Sequence, residues 1–105
     1  MTTLIVLFRL RAGVDTKAYE AWAKQTDLPV VRQLGSVSDF KLRRVMGLFG
    51  SDSSAPYDYV EMIDVTDMPG FVADVSSEEM KGVAAQFREF ADNPVFMLSS
   101  DVEQG

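Results

Sequence analysis

The chain has 105 residues, 47% of them hydrophobic and 25% charged, which is the length and composition of one globular domain. Its formal net charge of -6 disfavours nucleic acid and an anionic membrane as partners, because both would repel it. It has no cysteine and no histidine, which excludes disulfides, thiolate chemistry, the commonest general base and the commonest metal ligand. No apolar run is long enough to span a membrane, and we expect a cytoplasmic protein that uses no metal and no cofactor.

The first third of the chain predicts a strand followed by an interrupted helix. Residues 3–10 are a nearly continuous run of β-prone residues, which is typical of a strand buried on both faces. Asp15 is a good N-cap for a helix that begins at Thr16. Pro29 should interrupt this helix, because the residue before a proline disfavours the α conformation. The apolar stripe of the helix consists of Ala18, Tyr19, Trp22, Ala23 and Thr26.

Three more strands are predicted further along the chain. Residues 40–49 and 57–65 are β-prone runs joined by the turn-rich segment 50–56, which is too long for a tight hairpin. Residues 95–98 form a short last run. The strand over 57–65 carries polar as well as apolar residues on both faces, so we expect each face to meet another layer.

Two helical segments separate the third strand from the fourth. A short one follows the strand and extends to Val75, and a longer one runs from Glu78 to about residue 91 with Ser77 as its N-cap. No repeat or linker divides the chain. We therefore expect one domain over residues 1–98 and an unstructured polar tail over 99–105.

The predicted element order is β-α-β-β-α-β, which indicates the ferredoxin-like split β-α-β arrangement of the α+β class. In that fold an antiparallel sheet has the strand order 4-1-3-2 and both helices cover the same face. Strands one, three and four are apolar on both faces, so the uncovered face would be an unusually large apolar surface for a monomer. We therefore predict a homodimer in which two sheets pack face to face as a dimeric α+β barrel.

Arginines are predicted beside the polar residues of strand three. A plausible register places Arg9 opposite Tyr59 or Glu61, and Arg43 or Arg44 opposite Glu61. The sequence leaves the register open, and a slip of one residue would send each arginine to the other face. The cluster is either part of a ligand pocket or a structural ion pair within the sheet.

A pocket at this place would contain groups suited to proton transfer. Glu61 could act as a general acid or base whose pKa is set by burial against an arginine, and Tyr59 or Tyr57 could donate a hydrogen bond to a ligand. Asp27, near the predicted helix end, is either an acid–base group or a turn-closing residue. Trp22 could stack on a planar ring or fill the core.

Five segments spread over nearly the whole chain carry a resemblance to a known family. They are LFRLRAGV (7–14), YEAWA (19–23), TDLP (26–29), GLFGS (47–51) and YDYVE (57–61). Together they resemble the RedY-like proteins of prodiginine (prodigiosin) biosynthesis. The resemblance implies a dimeric ferredoxin-like fold and a role in making or handling pyrrole intermediates, with a small aromatic pyrrole-type molecule as the ligand.

Three functional hypotheses follow from these patterns. The first is a cofactor-independent enzyme that condenses, cyclises or dehydrates a small aromatic nitrogen heterocycle, using Tyr, Asp and Glu for proton transfer and Arg to stabilise charge. The second is a non-catalytic protein that shelters a reactive pyrrole intermediate or supports a partner enzyme. The third, by analogy of fold alone, is a cofactor-free monooxygenase.

Overall fold

The computed structural model describes residues 1–103 and contains a four-stranded antiparallel sheet with helices packed on one face. In chain order its elements are β1 (Thr2–Leu10), α1 (Thr16–Trp22), a π-helical turn (Ala23–Asp27), α2 (Leu28–Arg32), β2 (Val37–Arg44), β3 (Tyr59–Val65), α3 (Met68–Val75), α4 (Glu78–Phe90) and β4 (Ala91–Ser100). The strand order is β2-β3-β1-β4. This topology confirms the predicted ferredoxin-like α+β fold.

Side-chain caps determine where three of the helices begin. The side chains of Asp15, Asp67 and Ser77 each accept a hydrogen bond from a backbone N–H in the first turn of α1, α3 and α4. The predicted interruption at Pro29 is wrong, because Pro29 lies in the first turn of α2, where a missing N–H is tolerated. Among the described residues, no helix is long and apolar enough to cross a membrane.

The loop between β2 and β3 is longer than predicted. β2 ends at Arg44 instead of residue 49, and β3 begins at Tyr59 instead of residue 57. Gly47 and Gly50 have φ angles of 152° and 75°, which only glycine adopts easily, and they turn the chain out of the sheet. Residues 45–58 therefore form an excursion beyond the end of the sheet.

The last strand is also longer than predicted. β4 pairs with β1 from Thr2↔Ser100 to Leu10↔Ala91, with one register shift near Asn93, which has a φ of 46°. Pro94 is tolerated because β4 is an edge strand. Ser99 and Ser100 thus belong to the sheet and not to the predicted tail, and residues 104–105 lie outside the described residues.

The core between sheet and helices consists of two apolar clusters. The first contains Val6, Phe8, Tyr19, Ala23, Tyr59, Phe87 and Ala91. The second contains Val31, Val37, Phe40, Ile63, Val65 and Met80. Glu61 lies on the same side of β3, between Tyr59 of the first cluster and Ile63 of the second. The apolar side chains of β3 are therefore interrupted by a buried acid between the two clusters.

The other face of the sheet carries no helix among the described residues and presents an apolar surface. Cross-strand pairs bring its side chains together, since Ile5 faces both Met62 and Met97, and Leu7 faces both Val60 and Val95. We call these six residues the open-face patch. Met62 and Met97 are 40% and 41% exposed. This is the face through which the homodimer is predicted to form.

Candidate active site

Two carboxyl groups, those of Asp27 and Glu61, lie together between the helices and the sheet. They are only 6% and 5% exposed and lie within hydrogen-bonding reach of each other. Both line a cavity of about 340 Å³. Most of the cavity wall is apolar and includes Val6, Val31, Ile63, Phe71, Met80 and Phe87. The site is thus a pair of acids in an apolar enclosure.

Asp27 reaches this position because its helix contains a π turn. Four buried residues of the helix, Tyr19, Ala23, Asp27 and Val31, follow one another at a spacing of four. In an α-helix with 3.6 residues per turn, such a row would rotate by about 40° at each step. In the π turn the Leu28 N–H bonds to the Ala23 carbonyl, so each turn holds more residues and the row stays on the sheet side.

Glu61 points into the core because successive side chains of β3 alternate between the two faces of the sheet. It faces Val6 of β1 and Leu42 of β2, so its cross-strand neighbours on the helix side are apolar. The predicted arginine neighbours of Glu61 are therefore wrong. Its polar neighbour is Asp27, which the register of the sheet alone could not reveal.

The environment of the pair raises the pKa of both acids. Burial raises the pKa of Asp27 to about 6, and a hydrogen bond with Glu61 partly offsets this rise. Burial raises the pKa of Glu61 well above its ordinary value, and the negative charge of Asp27 and their hydrogen bond raise it further. Two close acids cannot both ionise easily, so Asp27 ionises first and the proton of the pair stays on Glu61.

Two buried polar atoms near this pair have no hydrogen-bond partner within residues 1–103. They are Oε2 of Glu61 and the hydroxyl oxygen of Tyr19. Sequence analysis placed Tyr19 in the apolar stripe and missed it as a site residue. The signal that could have identified it is its place in the four-residue row with Asp27, because that row faces one layer of the protein.

Tyr59 belongs to a separate polar cluster at the edge of the core. Its hydroxyl donates to Glu20 Oε2 at 2.6 Å, and Arg44 donates to the same carboxylate through Nε at 2.7 Å and Nη2 at 2.5 Å. These hydrogen bonds lower the pKa of Glu20 to about 2. Burial and the Glu20 bond raise the pKa of Tyr59 to about 12. Arg44 therefore does form an ion pair, but its acid is Glu20 of α1 and not Glu61 of the sheet.

The other two predicted arginines lie away from the cavity. Arg9 pairs with Asp92 of β4 and is exposed. In the register between β1 and β3, the residue opposite Tyr59 is Phe8 and not Arg9. Arg43 pairs with Val60 and points to the open face. Only Arg44 of the three lies on the helix side, where it is opposite Tyr59 and not Glu61.

Two predicted ligand-binding aromatic residues also lie outside the cavity lining. The Trp22 indole Nε1 donates to Gln86 at 2.8 Å, and its ring lies 5.3 Å from that of Phe90. Trp22 thus packs between α1 and α4. Tyr57 lines a different depression, beneath the 45–58 loop, together with Arg9.

The mouth of the cavity is formed by two exposed residues. Arg88 of α4 and Phe96 of β4 both line the cavity, and both are accessible to solvent. Among residues 1–103, no group of three or more acidic side chains is arranged to hold a metal ion. The cavity thus has an acidic interior, apolar walls and a basic group at its entrance.

Comparison with known proteins agrees with this fold. A family model described as REDY-like protein HapK matches residues 2–102. HapK from Hahella chejuensis is 29% identical, with a TM-score of 0.78, and the match covers 100% of this chain and 96% of that one. No curated protein matches the sequence significantly.

More distant structures share the architecture. SnoaB, a cofactor-independent oxygenase from Streptomyces nogalater, is 14% identical, with a TM-score of 0.77 over 98% of this chain and 94% of that one. A dimeric ferredoxin-like protein of unknown function from Thermobifida fusca is 18% identical, with a TM-score of 0.74 over 95% of this chain and 90% of that one. At these identities the likeness shows the fold alone.

Proposed function

The chain belongs to the REDY-like HapK family, as its five segments predicted, and we propose that it is a cofactor-independent enzyme of prodiginine-type pigment biosynthesis. Its substrate is a bipyrrole or a related aromatic nitrogen heterocycle, and its reaction is an acid/base-catalysed condensation, cyclisation or dehydration. One observation carries this proposal. It is the pair of buried carboxyl groups, Asp27 and Glu61, in an otherwise apolar cavity.

The protonation of the pair matches the needs of these reactions. Each of them adds a proton to a carbonyl, hydroxyl or imine group and removes one from a ring N–H or C–H. Glu61 keeps the proton of the pair and acts as the acid, whereas Asp27, which ionises first, acts as the base and stabilises a cationic iminium centre. Two acids whose environments give them different protonation states can therefore support both proton transfers.

The cavity suits a flat ligand of this class. Its volume of about 340 Å³ is near the lower end of known ligand pockets, and apolar walls favour an aromatic ring. The negative charge of the pair favours a neutral or cationic ligand with an N–H donor. Arg88 at the mouth can hold a carbonyl oxygen at the opposite end of the ligand.

Assembly and location are part of the same proposal. We propose a homodimer that buries the open-face patch, which the exposed Met62 and Met97 and the dimeric ferredoxin-like neighbour support. A cytoplasmic location is proposed from the composition.

The test is a rate measurement with purified protein. Candidate pyrrole and bipyrrole aldehydes are mixed with and without the protein, and the conjugated product is followed by its visible absorbance. We expect a faster reaction with the wild type and its loss in both Glu61→Gln and Asp27→Asn. Asp52→Asn, in the exposed loop, removes the same charge as a matched control and should retain the rate. Full activity in Glu61→Gln would refute the acid/base proposal.

A binding role is the second candidate function. The unpartnered Glu61 Oε2 and the apolar walls would hold a heterocyclic N–H without any reaction. Calorimetric binding that depends on Glu61, combined with no rate effect in the wild type, would favour this role. Substrate-dependent oxygen uptake would favour the oxygenase hypothesis instead.

A further inference from the structure

The hydroxyl of Tyr19 is a buried polar group that the acid/base proposal does not use. Tyr19 is 0% exposed. The centroid of its ring lies 5.6 Å from that of Phe8 and 4.8 Å from that of Tyr59. Its hydroxyl finds no partner in the described part of the chain. A buried donor without a partner destabilises the folded state, and phenylalanine would fill almost the same space without that cost. The hydroxyl therefore calls for an explanation other than packing.

The electrostatic surroundings of Tyr19 keep its hydroxyl protonated, so that it can donate a hydrogen bond. Burial raises its pKa above the ordinary 10.0, and the negative charges of Glu61 and Asp27 raise it further. The tyrosine thus keeps its proton throughout the working range of pH. The buried acceptor that lacks a partner in the same region is Glu61 Oε2.

We propose that Tyr19 is a positioning residue for the carboxyl pair, whose hydroxyl donates to Glu61 Oε2 when Glu61 has given its proton to the substrate. The proton passes from Glu61 to the substrate, and Tyr19 keeps its own. The hydrogen bond stabilises the carboxylate that would otherwise stand buried beside the negative charge of Asp27. This inference rests on the proposed role of Glu61 as the acid.

The other groups around Glu61 cannot serve this purpose. Asp27, from the π turn, is itself an acid, and the Tyr59 hydroxyl is bonded to Glu20. Arg88, from α4, lies at the exposed mouth of the cavity. The facing residues of β1 and β2 are apolar. Within residues 1–103, Tyr19 is therefore the uncommitted neutral donor of this region.

The test is the titration of Glu61 in the ligand-free protein. The chemical shift of its side-chain carboxyl carbon is followed against pH in wild type and Tyr19→Phe. Loss of a hydrogen bond to the ionised form should raise the pKa of Glu61 by about one pH unit. Tyr59→Phe is the matched control, because the hydroxyl that it removes is bonded to Glu20. This variant should leave the pKa of Glu61 unchanged.

A second measurement separates positioning from packing. Because the hydrogen bond forms only with ionised Glu61, Tyr19→Phe should be more thermally stable than the wild type at acidic pH, where the hydroxyl has no partner, and should lose this advantage as the pH rises. An unchanged pKa of Glu61 in Tyr19→Phe, or a difference in stability from the wild type that is the same at every pH, would overturn the inference. Neither measurement involves a substrate, so this failure is distinguishable from failure of the proposed enzyme activity.

Discussion

Asp27→Asn is expected to make the protein more stable near neutral pH, although it alters a buried hydrogen-bonded pair. The pKa of Asp27 is about 6 in the folded protein and 3.8 ordinarily, so the folded state binds this proton more tightly than the unfolded state. The contribution of Asp27 to the free energy of unfolding is therefore most favourable below about pH 4 and falls as the pH rises through 6. At about 1.4 kcal/mol per pH unit, ionised Asp27 costs the fold about 3 kcal/mol near neutral pH.

Asparagine has nearly the same shape and carries no charge into the core. It should recover this free energy less about 1 kcal/mol for the altered hydrogen bond to Glu61, which leaves a gain of about 2 kcal/mol. The assay is urea unfolding followed by circular dichroism across the acidic and neutral range. At about pH 3, where Asp27 is protonated in both states, the gain should vanish and leave only the loss of about 1 kcal/mol from the altered hydrogen bond.

The control for this experiment is Asp52→Asn. The protein carries a net charge of -6, so removing any acid reduces repulsion within the folded chain. A gain that is as large in Asp52→Asn would assign the effect to net charge. A neutral-pH loss of stability in Asp27→Asn would refute the account of Asp27 as a group held in the core at the expense of stability.

Other substitutions test the remaining features. The pKa of Glu20 is lowered to about 2, so its contribution to stability is present above about pH 4.5 and is lost as the pH falls through 2. Glu20→Gln should therefore lower the urea midpoint by an amount equivalent to about 1 kcal/mol at neutral pH, and an unchanged midpoint would show that the cluster is screened by solvent. Met62→Lys places a charge in the open-face patch and should give a monomer in sedimentation, whereas Phe49→Ser, in the exposed loop, should sediment as the wild type. Persistence of the wild-type assembly in Met62→Lys would move the dimer interface elsewhere. Ala84→Phe fills part of the cavity and should abolish calorimetric binding of a pyrrole ligand with an unchanged circular dichroism spectrum; retained affinity would place the ligand outside the cavity.

The fold could be predicted because it depends on patterns within single elements. The β-prone run of β1, the Asp15 and Ser77 caps and the order of elements all act locally, and they suffice to specify a ferredoxin-like sheet. The residues at which a strand ends depend instead on the neighbouring strand. β4 extends to Ser100 because β1 continues beside it, which the composition of β4 alone does not indicate.

The site could be predicted only in part, for a physical reason. Glu61 stands out as an acid in a buried strand, but its partner is 34 positions away along the chain and depends on a π turn. Arg9 fell on the other face because a shift of one residue in register reverses every side chain of a strand. Tyr19 remained unrecognised because a hydroxyl at an apolar position shows its meaning only when its neighbours are known.

The π turn makes the carboxyl pair depend on chain length as well as on residue identity. Removal of one exposed residue, such as Gln25, would shorten the spacing from Ala23 to Asp27 from four residues to three and that to Val31 from eight to seven. These are the spacings of an ordinary amphipathic α-helix, which would still bury Val31 but would turn the acid about 60° from the buried row. A deletion at this point is therefore expected to keep the fold and separate the paired acids, which makes the number of residues in this helix part of the site.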